Sequence, residues 1–155
     1  MPAKRSAGIL LFRRDPDLQV LIGRLGGPLW QRRTEHNWSI PKGEYGPDEQ
    51  PLAAARREFT EELGLPVPDV ELADLGTVKQ RGGKLVQVWA GAVEAELDLT
   101  NLTLGTFELE WPPKSGKAQL FPELAEVAWT SIEQARQRLV AGQVDFLDRL
   151  IEQLG

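Results

Sequence analysis

Between Pro51 and Gly64 the chain carries a helix whose apolar stripe cannot stand alone. Leu52, Ala55, Phe59 and Leu63 follow one another at three- and four-residue steps, which places them on one helical face. Pro51 suits a first turn, where a missing N–H costs nothing. Gly64 suits a left-handed stop, and Pro66 blocks continuation. The pattern predicts a helix over residues 50–63 that must bury its stripe against another layer. Glu58, Glu61 and Glu62 stand at i, i+3 and i+4 and share a different face. At about 100° per residue the two faces centre roughly 100° apart, so the carboxylates lie along the edge of whatever the helix packs on.

The flanking segments supply that layer. Residues 5–13 and 18–23 are predicted strands joined by the turn Asp15-Pro16-Asp17. Residues 24–37, with Gly26-Gly27-Pro28, read as a loop, 38–40 as a short extended piece, and 42–48 as a glycine- and proline-bearing loop. Residues 72–80 and 84–94 are predicted strands with a hairpin signal at Gly82-Gly83. Residues 103–110 are a further strand, 111–122 a long loop, and 126–129 a short strand. Ser131 with Gln134 opens a helix to Val140, and Phe146, Leu147, Leu150, Ile151 and Leu154 stripe a last one. With no repeat or dividing linker, 155 residues predict a single domain, 1–155, of the α/β layered class.

Three carboxylates on one patch repel, at a few tenths of a kcal/mol per pair. Either they form a solvated face, with Arg57 pairing to Glu61 at i+4, or a divalent cation gathers them. Composition narrows the cation. There is no cysteine and one histidine, His36, so a zinc site of nitrogen and sulfur ligands is excluded. A hard ion held by oxygen, Mg²⁺ or Mn²⁺, remains. The net charge of −5, from 23 acidic and 18 basic residues, argues against nucleic acid as the main partner. The apolar run from Ala7 to Phe12 is too short for a membrane span or signal core, which predicts a cytoplasmic protein with no membrane partner. No P-loop and no Gly-x-Ser-x-Gly are present in the sequence.

The stretch from Gly43 to Leu65 reads Gly43, five residues, Glu49, seven residues, then Arg57-Glu58-Phe59-Thr60-Glu61-Glu62-Leu63-Gly64-Leu65. Its seven fixed identities, at about 6% usage each, arise by chance at roughly 10⁻⁹ to 10⁻⁸ per start. The stretch matches the Nudix box at every position, and the chain resembles the Nudix hydrolases. Three other stretches are similar to the bacterial branch that includes diadenosine polyphosphate hydrolases. They are Trp38-Ser39-Ile40-Pro41-Lys42-Gly43-Glu44, Gly26-Gly27-Pro28-Leu29-Trp30, and Phe121-Pro122-Glu123 ahead of Trp129.

The resemblance implies an α/β/α sandwich with a mixed central sheet and a metal-dependent attack of water on a P–O–P bond. It implies Glu58, Glu61 and Glu62 as metal ligands, with Glu58 alternatively orienting or deprotonating the water. Arg57 would orient the carboxylates together with Glu49, Gly43 would allow the tight loop, and Gly64 would close the helix. The Lys42 carbonyl is a further expected ligand. Glu123 is the expected acidic ligand from outside the box, with Glu108 and Glu110 as rivals. Lys42 and Gly43 would hold the substrate. Arg24, Lys79 and Arg81 are candidates to grip outer phosphates, and Trp30 or Trp38 to stack on a base. His36, beside Arg32 and Arg33, reads as a surface histidine, and Tyr45 is open between site and core. The expected substrate is a small nucleotide, a dinucleoside polyphosphate or nucleoside triphosphate. Gln80 stands where some ADP-ribose enzymes place a proline, and the tyrosine marking some diadenosine polyphosphate enzymes is absent. A silent nucleotide sensor or scaffold, and an RNA 5′-end pyrophosphohydrolase, are the alternatives. A homodimer is left open.

Overall fold

A computed structural model describes residues 3–14 and 16–155. Asp15 of the expected turn lies outside them. At the centre is β1 (Arg5–Arg14), which runs parallel to β6 (Leu85–Ala92) along one edge. Along its other edge it changes partner. Phe12 to Arg14 pair with β2 (Leu18–Leu25), whereas Ser6 to Gly8 pair with β4 (Lys42–Glu44). The far end of β2 meets β3 (Trp38–Ser39) instead of β1. The segment from Trp38 to Glu44 therefore fills the gap where β1 and β2 separate. β5 (Leu72–Lys79) pairs antiparallel with β6, and β9 (Leu124–Ser131) with β2, to complete a seven-stranded mixed sheet.

The sheet is covered on both faces, which explains the unbroken apolar run of β1. Ala7, Ile9 and Leu11 face α1 (Pro51–Leu63), which buries Ala54, Ala55, Phe59 and Leu63 against them. Leu10 and Phe12 face the opposite layer, where α2 (Ile132–Arg138) and α3 (Asp145–Leu154) contribute Ala135, Phe146, Leu147 and Leu150. This is the expected α/β/α sandwich. The Ser131 hydroxyl accepts from the Gln134 N–H at 3.2 Å and caps α2 as its spacing predicts. Gly64 ends α1 at φ 78°, its N–H donating to Thr60 O at 2.8 Å.

Two readings are corrected. Residues 42–44 were expected in a loop and form β4, because they complete the gap beside β1. Residues 111–122 were expected as one long loop, yet β8 (Ala118–Pro122) pairs with β7 (Thr106–Glu110) as a separate hairpin. Alternation explains it: Phe107 and Leu109 turn inward and Thr106, Glu108 and Glu110 outward, with Phe107 and Phe121 rings 6.1 Å apart.

Candidate active site

A polar hollow of about 420 Å³ opens beside β4 and the carboxylate edge of α1. Glu58, Glu61 and Glu62 line it from the helix, Lys42 and Gly43 from β4, and Glu123 from the turn between β8 and β9. Lys84 enters from the start of the β6 side.

Each group has a local reason for its place. In the β1–β4 pairing Ile9 N–H donates to Pro41 O and Tyr45 N–H to Arg5 O, so Lys42 falls at a position whose backbone groups point away from β1. Its carbonyl is left on the open edge of β4, and its N–H is directed at Glu62. Gly43 is required by contact: a Cβ there would stand 2.0 Å from the Glu58 carboxyl carbon. Glu123 is fixed through its backbone, donating to Gly105 O at 2.8 Å and accepting from Gly26 N–H at 3.0 Å. The 103–105 segment also covers the end of α1, since Thr103 and Gly105 N–H groups donate to Leu63 O and Glu62 O at 3.1 and 3.0 Å.

Arg57 organises the acidic edge. Its Nε and second terminal nitrogen donate to both Glu49 oxygens at 2.8 and 2.9 Å, a bidentate fork that holds the Glu49 carboxyl below its usual range. Its remaining nitrogen donates to Glu58 Oε1 at 2.9 Å and to Glu61 Oε2 at 3.1 Å.

The charges inside the hollow are under-compensated. Burial first, then the nearby Glu123 and Glu58 charges, push the Glu62 carboxyl up to about 8 against the pull of Lys42. Burial also raises Glu58, opposed by Arg57, and Glu123, opposed by Lys42. Lys42 is lowered by burial and by Lys84. Three crowded carboxylates beside an outward-facing carbonyl make an all-oxygen donor set, which fits a hard divalent ion. Among the described residues, no three acidic or histidine groups yet meet at one point, and Glu58 and Glu61 are held by Arg57.

Other expected residues lie elsewhere. Trp38 is 7% exposed in the core, under the Arg138 guanidinium at 4.9 Å, so the expectation of base stacking is corrected. Arg24 pairs with Glu126 at 2.9 Å on the β2–β9 ladder and does not line the hollow. Lys79 lines a separate depression beside Gly82 and Gly83. Arg81 and His36 face a neighbouring hollow that shares Lys42. Glu108 and Glu110 point outward from β7, away from the site. Tyr45 packs on the core beneath α1. The sequence reading missed Lys84, Ser39, Gly105 and Thr106. Only Lys84 left a signal, as a charge beside the Gly82-Gly83 turn.

A layered α/β/α chain with a box of carboxylates at the sheet edge defines a class, and the comparisons define the family. The model of the NUDIX domain matches residues 2–150. The chain belongs to the NUDIX family. It is 39% identical over 67 residues to the RNA pyrophosphohydrolase of Bartonella henselae, covering 42% of this chain and 38% of that protein. It is 43% identical over 54 residues to that of Proteus mirabilis, covering 34% and 31%. The matches thus span well under half the length of these relatives. Among solved structures, a C. elegans Ap4A hydrolase in a binary complex superposes with a TM-score of 0.69 at 19% identity, covering 96% of this chain and 97% of that one. The NUDIX domain of Shewanella oneidensis NrtR, complexed with ADP ribose, gives 0.68 at 15% identity, covering 100% and 90%. These two share the fold.

Proposed function

We propose that this chain is a metal-dependent pyrophosphohydrolase that cleaves a P–O–P bond in a nucleoside diphosphate derivative, a dinucleoside polyphosphate or a nucleoside triphosphate. The observation that carries the reading is the gathering of Glu58, Glu61, Glu62 and Glu123 with Lys42 in one hollow. Glu58, Glu62, Glu123 and the Lys42 carbonyl would hold Mg²⁺ or Mn²⁺, with Glu61 joining on release from Arg57. The bound ion would neutralise phosphoryl charge and favour ionisation of water. Glu58, with one oxygen engaged by Arg57, keeps the other to orient the attacking water or take its proton. Lys42 and Lys84 bind diphosphate oxygens and offset their charge. An aromatic-walled hollow of about 220 Å³, bounded by Gly27, Trp30 and Phe107 and touching Glu123, suits a nucleobase.

The RNA pyrophosphohydrolases of Bartonella and Proteus favour a second reading, removal of diphosphate from an RNA 5′ end. The test is nucleotide chromatography over a panel with Mg²⁺ or Mn²⁺. The panel holds dinucleoside polyphosphates, nucleoside triphosphates, ADP-ribose and 5′-triphosphorylated RNA. Turnover of the first two classes supports the proposal, and turnover of RNA alone favours the second reading. Nucleotide binding without turnover overturns both and leaves a sensor or scaffold.

A further inference from the structure

Beside the carboxylate hollow lies a second one, of about 420 Å³, which shares Leu25, Ser39 and Lys42 with it. Three distant segments build it: the β2–β3 loop gives Arg33 and His36, the β5–β6 turn gives Gln80 and Arg81, and the 3-10 turn Ala141–Gln143 forms the third wall. In a chain of net charge −5, no carboxylate lines it among the described residues. Arg33 and Arg81 are exposed and make no ion pair among those residues. Arg33 lies 5.6 Å over the Trp30 ring, which limits where its guanidinium travels.

The hollow is also held in shape. Gln143 is fully buried, accepting from the Ile40 N–H at 2.8 Å and donating to the Ser39 hydroxyl at 3.0 Å. His36 sits at φ 53°, a sparsely populated conformation for a residue with a side chain. Its N–H donates to Gln137 O, and its Nδ1 is tied to Leu139 O at 2.8 Å. With Nδ1 as donor, the other ring nitrogen remains for a ligand. An undisturbed cluster of cations with fixed polar walls matches a multiply charged anion better than an uncharged base or sugar.

We propose that this hollow binds the phosphoryl groups lying beyond the scissile anhydride, so that the substrate carries a chain of at least three phosphates. The proposal rests on the pyrophosphohydrolase reading and deepens it. Lys42, facing both hollows, contacts the phosphate at the junction, while Arg33 and Arg81 hold the outer ones. Such a chain belongs equally to a nucleoside or dinucleoside polyphosphate and to a triphosphorylated RNA end.

The test titrates inorganic tripolyphosphate into the full chain with EDTA present, by calorimetry. Without metal, the carboxylate hollow repels the anion, and the binding reports the basic one. Wild type and Arg56→Ala, a charge-matched control on the exposed side of α1, bind alike. The double variant Arg33→Ala/Arg81→Ala binds at least about tenfold more weakly, as expected for lost charge-assisted bonds. No binding by the wild type, or equal binding by the double variant, overturns the proposal. In the kinetic arm, the kcat/KM ratio of adenosine tetraphosphate to diphosphate falls about tenfold or more in the double variant if a free nucleotide is the source. If RNA is the source, the fall is seen between tri- and monophosphorylated 5′ ends instead. Tripolyphosphate binding without turnover of any substrate leaves this hollow standing and overturns the hydrolase reading. Turnover indifferent to Arg33 and Arg81 does the reverse.

Discussion

Glu62 shows how one residue couples charge to stability. Its carboxyl is raised to about 8 by burial and neighbouring carboxylates, whereas the unfolded chain titrates it near 4.5. The folded, metal-free protein therefore binds more protons than the unfolded chain between these values, and stability falls as pH rises through that window. Above pH 8 the penalty is complete; below about 4.5 it vanishes. Glu62→Gln in EDTA is accordingly expected to stabilise the protein at pH 9 by about 1–3 kcal/mol and to leave it unchanged at pH 4. Denaturant melts at the two pH values check this; equal stabilisation at both would contradict it. The acidic residues of the site were legible in the sequence because chemistry fixes their spacing on one helix. Glu123 needed a distance to Trp129 to be chosen over Glu108 and Glu110. Trp38 was misjudged because stacking capacity is a property of the ring, whereas exposure is a property of the fold.

Elements differ in how firmly they are tied. α1 is anchored through Phe59, fully buried against β1, so Phe59→Ala is expected to cost about 3–5 kcal/mol in denaturant unfolding. A loss under 1 kcal/mol would show that the helix is not seated as described. The β7–β8 hairpin has only two strands and stands outside the main sheet. Its amides are expected to exchange with deuterium well ahead of those of β1 and β6, at least about a hundredfold, because it opens without breaking the core. Equal protection would place the hairpin in the core's cooperative unit. These same elements mark the limit of sequence reading. Pro112, Pro113 and Gly116 made 111–122 look like a loop, and nothing local marks Ala118–Pro122 as a partner for β7. β4 is three residues long and exists only because β1 and β2 separate.

Across the whole molecule, the gap between β1 and β2 joins fold to site. Filling it with the Trp38–Glu44 segment brings Lys42 and Gly43 against the carboxylate edge of α1, and the same segment borders the cationic hollow. Both clusters thus meet at Lys42, although their residues are scattered from Arg33 to Gln143. That scatter is why the box was readable and the basic hollow was not. Its residues come from three loops with no common spacing. The central claim is that the gathered carboxylates hydrolyse a phosphoanhydride with a divalent ion. The measurement that tests it most directly is Mg²⁺-dependent turnover of diadenosine tetraphosphate and ATP by wild type and Glu62→Gln, with folding checked by circular dichroism. The prediction is metal-dependent cleavage that falls at least about 100-fold, roughly 3 kcal/mol of transition-state stabilisation, in the folded variant. Undiminished turnover by a folded Glu62→Gln protein would contradict it.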